Sequence, residues 1–224
     1  MASGMLLAFN PAHCAARRPH RTSGAGSGSA KFRAMRGILV ACLVVVFPFI
    51  GFVRAADTVP LAELAKPGRL LMLRHANAPG NGDPATFRLD DCATQRNLDQ
   101  TGRDQAVALG ERLARAGVVR ARVWSSPWCR CLETARLLKL GPVEVLPALG
   151  SFYPRPEERE ATLAALRAFL SGLPRTGGPV VLVTHQFTIS AFTGEGTVSG
   201  GGSLFELNGT GAPRLLGVIG AKEH

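Results

Sequence analysis

The chain has 224 residues, 46% of them hydrophobic and 19% charged, which suits one globular domain of ordinary size with a further segment attached. Its formal charge of +10 is lopsided, because Arg17, Arg18, Arg21, Lys31, Arg33, Arg36 and Arg54 all precede Asp57, the first acidic residue. Beyond Ala55, 19 basic residues face 16 acidic ones, a balance near +3 that excludes the electrostatic footprint of a nucleic-acid binder.

In chain order, residues 1–34 come first, low in complexity around GAGSGSA at 24–30, and are read as a disordered extension or a misassigned start upstream of Met35. Residues 35–55 follow. Gly37 to Val53 is a run of 17 uncharged residues behind Met35-Arg36, ending in the small-residue pattern Val53-Arg54-Ala55, and reads as a signal peptide. The alternative is a membrane anchor, but 17 residues interrupted by Pro48 stand at the short limit for a span of roughly 30 Å. Export to the periplasm is therefore expected, with anchoring to the inner membrane through residues 37–53 as the alternative, and residues 56–224 as the globular domain. Of five cysteines, Cys92, Cys129 and Cys131 lie in that domain. In an oxidising compartment Cys92 can pair with Cys129 or Cys131, inert buried thiols being the competing reading, and Cys129-x-Cys131 lacks the further Cys or His that a zinc shell needs.

Arg69-Leu70-Leu71-Met72-Leu73 is an apolar run without polar alternation, as expected of a strand buried on both faces, and it stops at Arg74-His75-Ala76. From residue 76 to about 97 the chain is rich in turn formers and reads as a long connection over the mouth of a site. Ala106, Leu109, Leu113 and Ala116 recur at helical spacing, with Thr101 as the expected N-cap and Gly117 as the stop. A second strand is predicted over Val118 to Ser125, then a helix from Pro127 to about Leu140, a short strand from Val143 to Leu146 and a helix from Pro156 to Leu173. Pro179 to Val183 is a fourth strand ending at Thr184-His185. Ser203 to Leu207 and Leu215 to Ile219 read as late strands around a Gly-rich turn. Strands alternating with helices imply an α/β fold, a three-layer α/β/α sandwich with a mostly parallel central sheet. Ligands bind beyond the carboxyl ends of the strands in such folds. Arg74 and His75, Arg130, and His185 each follow a different strand, so three distant segments can meet in one crevice.

Those residue types suit phosphoryl chemistry. Guanidinium groups stay charged and match phosphate oxygens in geometry, and a second histidine can donate to those oxygens as charge builds. A neutral histidine, oriented through its other nitrogen, can serve as nucleophile and divide one displacement into two easier steps.

Leu73-Arg74-His75-Ala76 resembles the Arg-His-Gly motif of the histidine phosphatase superfamily, the phosphoglycerate-mutase-like fold. Leu98 to Ala106 is similar to that family's Leu-Thr-x-x-Gly-x-x-Gln-Ala helix start, Ser125 to Ala135 to its Ser-Ser-Pro-x-x-Arg-x-x-x-Thr-Ala segment, and Val183-Thr184-His185 to its last strand and histidine. The resemblance implies that His75 becomes phosphorylated, that Arg74 and Arg130 bind the phosphate and that His185 completes the pocket. It implies no metal or organic cofactor. The expected partner is a small phosphorylated substrate, possible identities including a phosphorylated envelope sugar or lipopolysaccharide component, with no nucleic acid and no membrane contact beyond the N-terminal segment. Ala76 replaces the family glycine, and Gln186 stands where one branch has an aspartate acid. The stretch from Leu146 to Tyr153 lacks the glutamate that mutases carry, which argues against mutase activity. Glu157 or Glu158 could swing in as general acid, but acids in the first turn of a helix, complementing its dipole, are the preferred reading. Two alternatives stand beside a phosphomonoesterase: a catalytically weak exported phosphate-binding module, and a phosphohistidine or phosphoprotein phosphatase.

Asn77, Asp83, Asp90, Asp91 and Asn97 could line the entrance to the site, though most are better explained as turn and capping residues. The glycines at 194, 196 and 200 to 202 lack the strand-then-helix context of a phosphate cradle, so a mobile loop or hairpin is expected there. Arg112, Arg115, Arg120 and Arg122 read as a solvated basic face.

Overall fold

The computed structural model describes residues 57–220. The predicted extension at 1–34 and the whole of the predicted signal peptide or anchor at 35–55 fall outside the described residues, as do Cys14 and Cys42. Among the described residues no helix is long and apolar enough to cross a membrane.

Six strands form one mixed sheet: β1 (Arg69–Arg74), β2 (Arg122–Ser125), β3 (Val143–Val145), β4 (Val180–Thr184), β5 (Gly202–Glu206) and β6 (Arg214–Ile219), in the order β3-β2-β4-β1-β5-β6. The four strands on the β3 side run parallel, and β5 and β6 add antiparallel at the other edge. Helices α1 (Gln100–Arg115), α2 (Cys129–Leu137), α3 (Arg159–Ser171) and α4 (Gln186–Thr193) cover both faces. The period-2 alternation of strand side chains decides which face each residue serves. Leu71, Leu73, Val181 and Val183 join Leu109 and Leu113 of α1 and Ala135 of α2 in one core. Leu70, Met72, Val180 and Leu182 join Leu166 and Leu170 of α3 and Ile189 of α4 in the other. This is the three-layer α/β/α arrangement expected from the sequence.

Several boundaries differ from expectation, each for a local reason. The second strand begins at Arg122 rather than Val118: the Val118 N–H closes the end of α1 on Leu113 O, and Val119 is 66% exposed. The N-cap of α1 is Asp99 rather than Thr101, its Oδ1 accepting from Gly102 N at 2.7 Å. Helix α2 starts at Cys129, two residues after Pro127, and ends before Leu140 because Lys139 takes φ 56. Helix α4 stands where the sequence pattern predicts no helix. It is short and carries the β-branched Thr188, Ile189 and Thr193, but Ile189 is fully buried and Gly194 closes the helix at φ 76. The glycine stretch after α4 is a loop rather than a hairpin, exposed at Gly194, Gly196 and Val198 and buried at Gly200 to Gly202, where Gly201 O accepts from Arg74 N at 2.9 Å and Gly200 N donates to His75 O at 3.2 Å. A Cβ on Gly202 would meet Met72 O at 2.6 Å, so this backbone lies directly against β1.

Candidate active site

The sheet order places the carboxyl ends of β2, β4 and β1 side by side, with Arg74 level with Thr184 and Ser125 level with Val183. The chain therefore turns off three adjacent parallel strands at one edge. Arg74, His75, Arg130 and His185 line a single cavity of about 220 Å³ there, together with Asp83 and Arg96.

His75 is buried, and its ring is fixed by a 2.8 Å contact between Nδ1 and Ala76 O. A carbonyl only accepts, so Nδ1 carries the proton and the Nε2 lone pair is left uncommitted. Burial drives the His75 pKa down to about 3, and the charges of Arg130, Arg96 and Arg74 push the same way against the opposing pull of the Ala76 carbonyl. The neutral ring is thus the form present at neutral pH. Ala76 N donates to Thr134 Oγ1 at 3.0 Å, and that hydroxyl donates to Arg130 O at 2.7 Å, which joins the turn after β1 to the start of α2.

His185 is also buried, 5.5 Å from His75 between ring centroids, and its Nε2 lies 2.9 Å from Ser126 Oγ. Burial lowers its pKa well below the ordinary value, with Arg130 the next cause, so it too is neutral.

Three guanidinium groups meet these rings. Arg74 Nη1 donates to Thr197 O at 2.6 Å, Arg96 Nη1 donates to Ala78 O, and Arg130 Nη1 donates to Asp83 Oδ1 at 2.8 Å and Arg96 O at 3.3 Å. In each, one nitrogen is anchored to the protein while the buried Nε has no hydrogen-bond partner. An orphaned charged donor is costly. Three of them against one carboxylate give the cavity an excess of about two positive charges with both histidines neutral, which is the arrangement an oxyanion would complete.

The anion that Arg130 faces is Asp83, the two side chains each 3% exposed. Asp83, read from sequence as a turn residue, also accepts from Arg96 N at 3.0 Å and Trp128 Nε1 at 3.0 Å. Burial alone would raise its pKa, but the Arg130 hydrogen bond, the Arg96 N–H, the Arg130 charge and the Trp128 N–H outweigh it and hold the carboxyl below its usual range. Arg96 is a cavity residue that sequence reasoning missed, and Asp83, offered by the sequence only as an entrance residue, reaches the centre of the cavity as the partner of Arg130. The signal that could have found Asp83 is the need of a buried Arg130 for a countercharge. Glu157 and Glu158 are exposed, with Glu158 paired to Arg155 at 2.9 Å, and neither lines the cavity.

Cys92 and Cys129 form a disulfide, and Cys131 is buried and free. The bond ties the loop carrying Asp83 and Arg96 to the residue before Arg130. Among the described residues no group of three His, Cys, Asp or Glu is placed to hold a metal ion.

Residues 70–153 match the histidine phosphatase superfamily (branch 1). No curated protein matches the chain. Among solved structures, the protein histidine phosphatase SixA complexed with tungstate superposes with a TM-score of 0.50 at 19% identity, over 68% of this chain and 97% of its own, and shares the fold. A structure described as mycobacterial hydrolase 1 gives 0.49 at 20% identity over 67% and 96% of the two chains. A mycobacterial glucosyl-3-phosphoglycerate phosphatase with VO3 gives 0.48 at 20% identity over 66% and 95%.

Proposed function

We propose that this chain, residues 70–153 of which match the histidine phosphatase superfamily (branch 1), is a protein of that superfamily and hydrolyses phosphate monoesters through a phosphohistidine on His75. The observation that carries the reading is a neutral imidazole with its Nδ1 proton held by Ala76 O, set among three guanidinium groups whose Nε atoms lack partners. Arg74, Arg130 and Arg96 grip the phosphoryl oxygens and neutralise their charge. Nε2 of His75 attacks phosphorus in line as the bond to the leaving oxygen breaks, that oxygen taking its proton from water. Nε2 of His185 lies 2.9 Å from Ser126 Oγ, and with the hydroxyl as donor the ring's proton stands on Nδ1, where it would hydrogen-bond a phosphoryl oxygen. Water then attacks the phosphohistidine, releasing inorganic phosphate and restoring neutral His75. No step uses a metal ion.

A phosphorylated envelope sugar or lipopolysaccharide component is the proposed substrate, met in the periplasm after export by residues 35–55. The Cys92–Cys129 disulfide supports an oxidising compartment. A second reading, a phosphohistidine or phosphoprotein phosphatase, is favoured by Asp83: it is the one carboxylate among the described residues that lines the cavity, and it is held ionised. A leaving group that departs without a carboxylic acid suits such a site.

The test is turnover of 4-nitrophenyl phosphate by the purified chain in the presence of EDTA, beside His75→Ala. Metal-independent multiple turnover that the substitution abolishes is expected. Full activity of His75→Ala would reject the reading, and stabilisation by vanadate without turnover would leave a phosphate-binding module.

A further inference from the structure

We propose that Tyr153 and Phe187 form a stacking shelf beside the phosphate pocket, selecting small monoesters whose phosphate sits on or next to a six-membered ring, a pyranose or an aryl group. The inference rests on the phosphatase reading above and specifies the part of the substrate which that reading leaves open.

The two rings are stacked, with centroids 5.3 Å apart and planes 7° from parallel, and both line the same cavity as His75. Tyr153 is 53% exposed and Phe187 46%. A single exposed aromatic needs no explanation, but a matched pair at the mouth of a cationic cavity presents apolar surface where a substrate must pass.

Their positions are fixed by the elements that build the phosphate end. Phe187 is the second residue of α4, two after His185. Thr184 Oγ1 donates to Leu149 O at 2.7 Å and Thr188 Oγ1 donates to Gly150 O at 3.3 Å, which tethers the loop bearing Tyr153 to β4 and α4. On the other side the loop tip closes on Tyr153. Gly82, at φ +69 and one residue before Asp83, would place a Cβ 3.3 Å from Tyr153 Cε1. The distance from the guanidinium groups to the shelf is therefore set by backbone.

Volume narrows the ligand. At about 220 Å³ the cavity is smaller than the roughly 300–1,000 Å³ that holds a drug-sized ligand, so it accommodates a phosphate and about one ring, the remainder of a larger molecule projecting outward. A ring gains from this surface by laying a C–H face or a π face against the aromatic pair, whereas an acyclic leaving group gains little.

The experiment compares the purified chain with Tyr153→Ala, Phe187→Ala and the double variant on 4-nitrophenyl phosphate, glucose 1-phosphate and acetyl phosphate, with orthovanadate inhibition as a measure of the phosphate end. The double variant is expected to lose roughly tenfold in kcat/KM on the ring substrates, with acetyl phosphate turnover and vanadate inhibition changed by less than about twofold. A loss confined to one ring substrate supports the shelf and identifies the ring. Equal loss on acetyl phosphate, unchanged turnover of both ring substrates, or a wild-type chain that hydrolyses acetyl phosphate and neither ring substrate would overturn it. If His75→Ala is inactive while the shelf variants behave as wild type, the shelf alone fails; full activity of His75→Ala removes the parent reading instead.

Discussion

Replacing Asp83 by asparagine removes one negative charge and almost no volume from the centre of the cavity. Arg130 and Asp83 meet at 2.8 Å with both side chains 3% exposed, so the substitution leaves Arg74, Arg96 and Arg130 around one space with no carboxylate. Breaking a buried pair from one side costs about 3–5 kcal/mol, and the opening to solvent favours the lower end, near 3 kcal/mol. For a domain of this size that is a fall in Tm of roughly 6–12 °C. The loss should be repairable. Inorganic phosphate at a hundred times its Kd returns about 2.7 kcal/mol, and the variant should respond to it more than the wild type because no internal anion competes for Arg130. Calorimetry of both proteins with and without phosphate at neutral pH measures each quantity. Because the Asp83 pKa is lowered in the folded state, its contribution is present above the ordinary value of 3.8 and is lost as pH falls through the folded value. The difference between variant and wild type should accordingly shrink in strong acid. A variant melting within about 1 °C of wild type at neutral pH, where roughly 6–12 °C is expected, or one that gains no more from phosphate, refutes the electrostatic account of the cavity.

Both histidines bind protons more weakly in the folded chain, His75 down to about 3, so the unfolded state takes up more protons below its own value near 6.5. Stability should rise with pH between about 3 and 6.5, and His75→Asn or His185→Asn should flatten that slope in a Tm-against-pH series. Arg96→Ala removes charge-assisted hydrogen bonds worth about 1.5–3 kcal/mol, so vanadate inhibition should weaken by roughly ten- to a hundredfold while the fold persists. Reducing Cys92–Cys129, which closes a 37-residue separation, should cost about 3–4 kcal/mol of stability by chain entropy, measured as a drop in denaturant midpoint. Cys131, its thiol pushed up to about 12 by burial, should resist alkylation in the folded chain.

How much of this was legible depends on range. The strands at Leu70 to Leu73 and Val180 to Val183 are legible because a strand covered on both faces needs an unbroken apolar run, and the residues at their ends are site candidates because a parallel sheet gathers carboxyl ends at one edge. That Arg74, His75, Arg130 and His185 share one cavity follows from the order β2-β4-β1, which segment spacing suggested and only the sheet displays. Helix α4 was invisible because Thr188, Ile189 and Thr193 favour extended chain, and packing of Ile189 overrides that preference. Asp83 looked like loop chemistry among Gly80, Gly82 and Pro84, since nothing in a turn-rich stretch states which distant guanidinium it will meet. The choice of Cys129 over Cys131 likewise rests on geometry: Cys131 turns inward beneath His185, its sulfur 3.6 Å from Nε2, while Cys129 lies at the edge where the loop returns.

The most direct measurement is a rapid acid-free quench of the chain during turnover of a phosphorus-labelled monoester, followed by peptide mapping. The account predicts base-stable, acid-labile phosphate on the peptide containing His75, absent from His75→Ala. Label on another residue, or burst turnover with no trapped phosphoenzyme and an active His75→Ala, would contradict it.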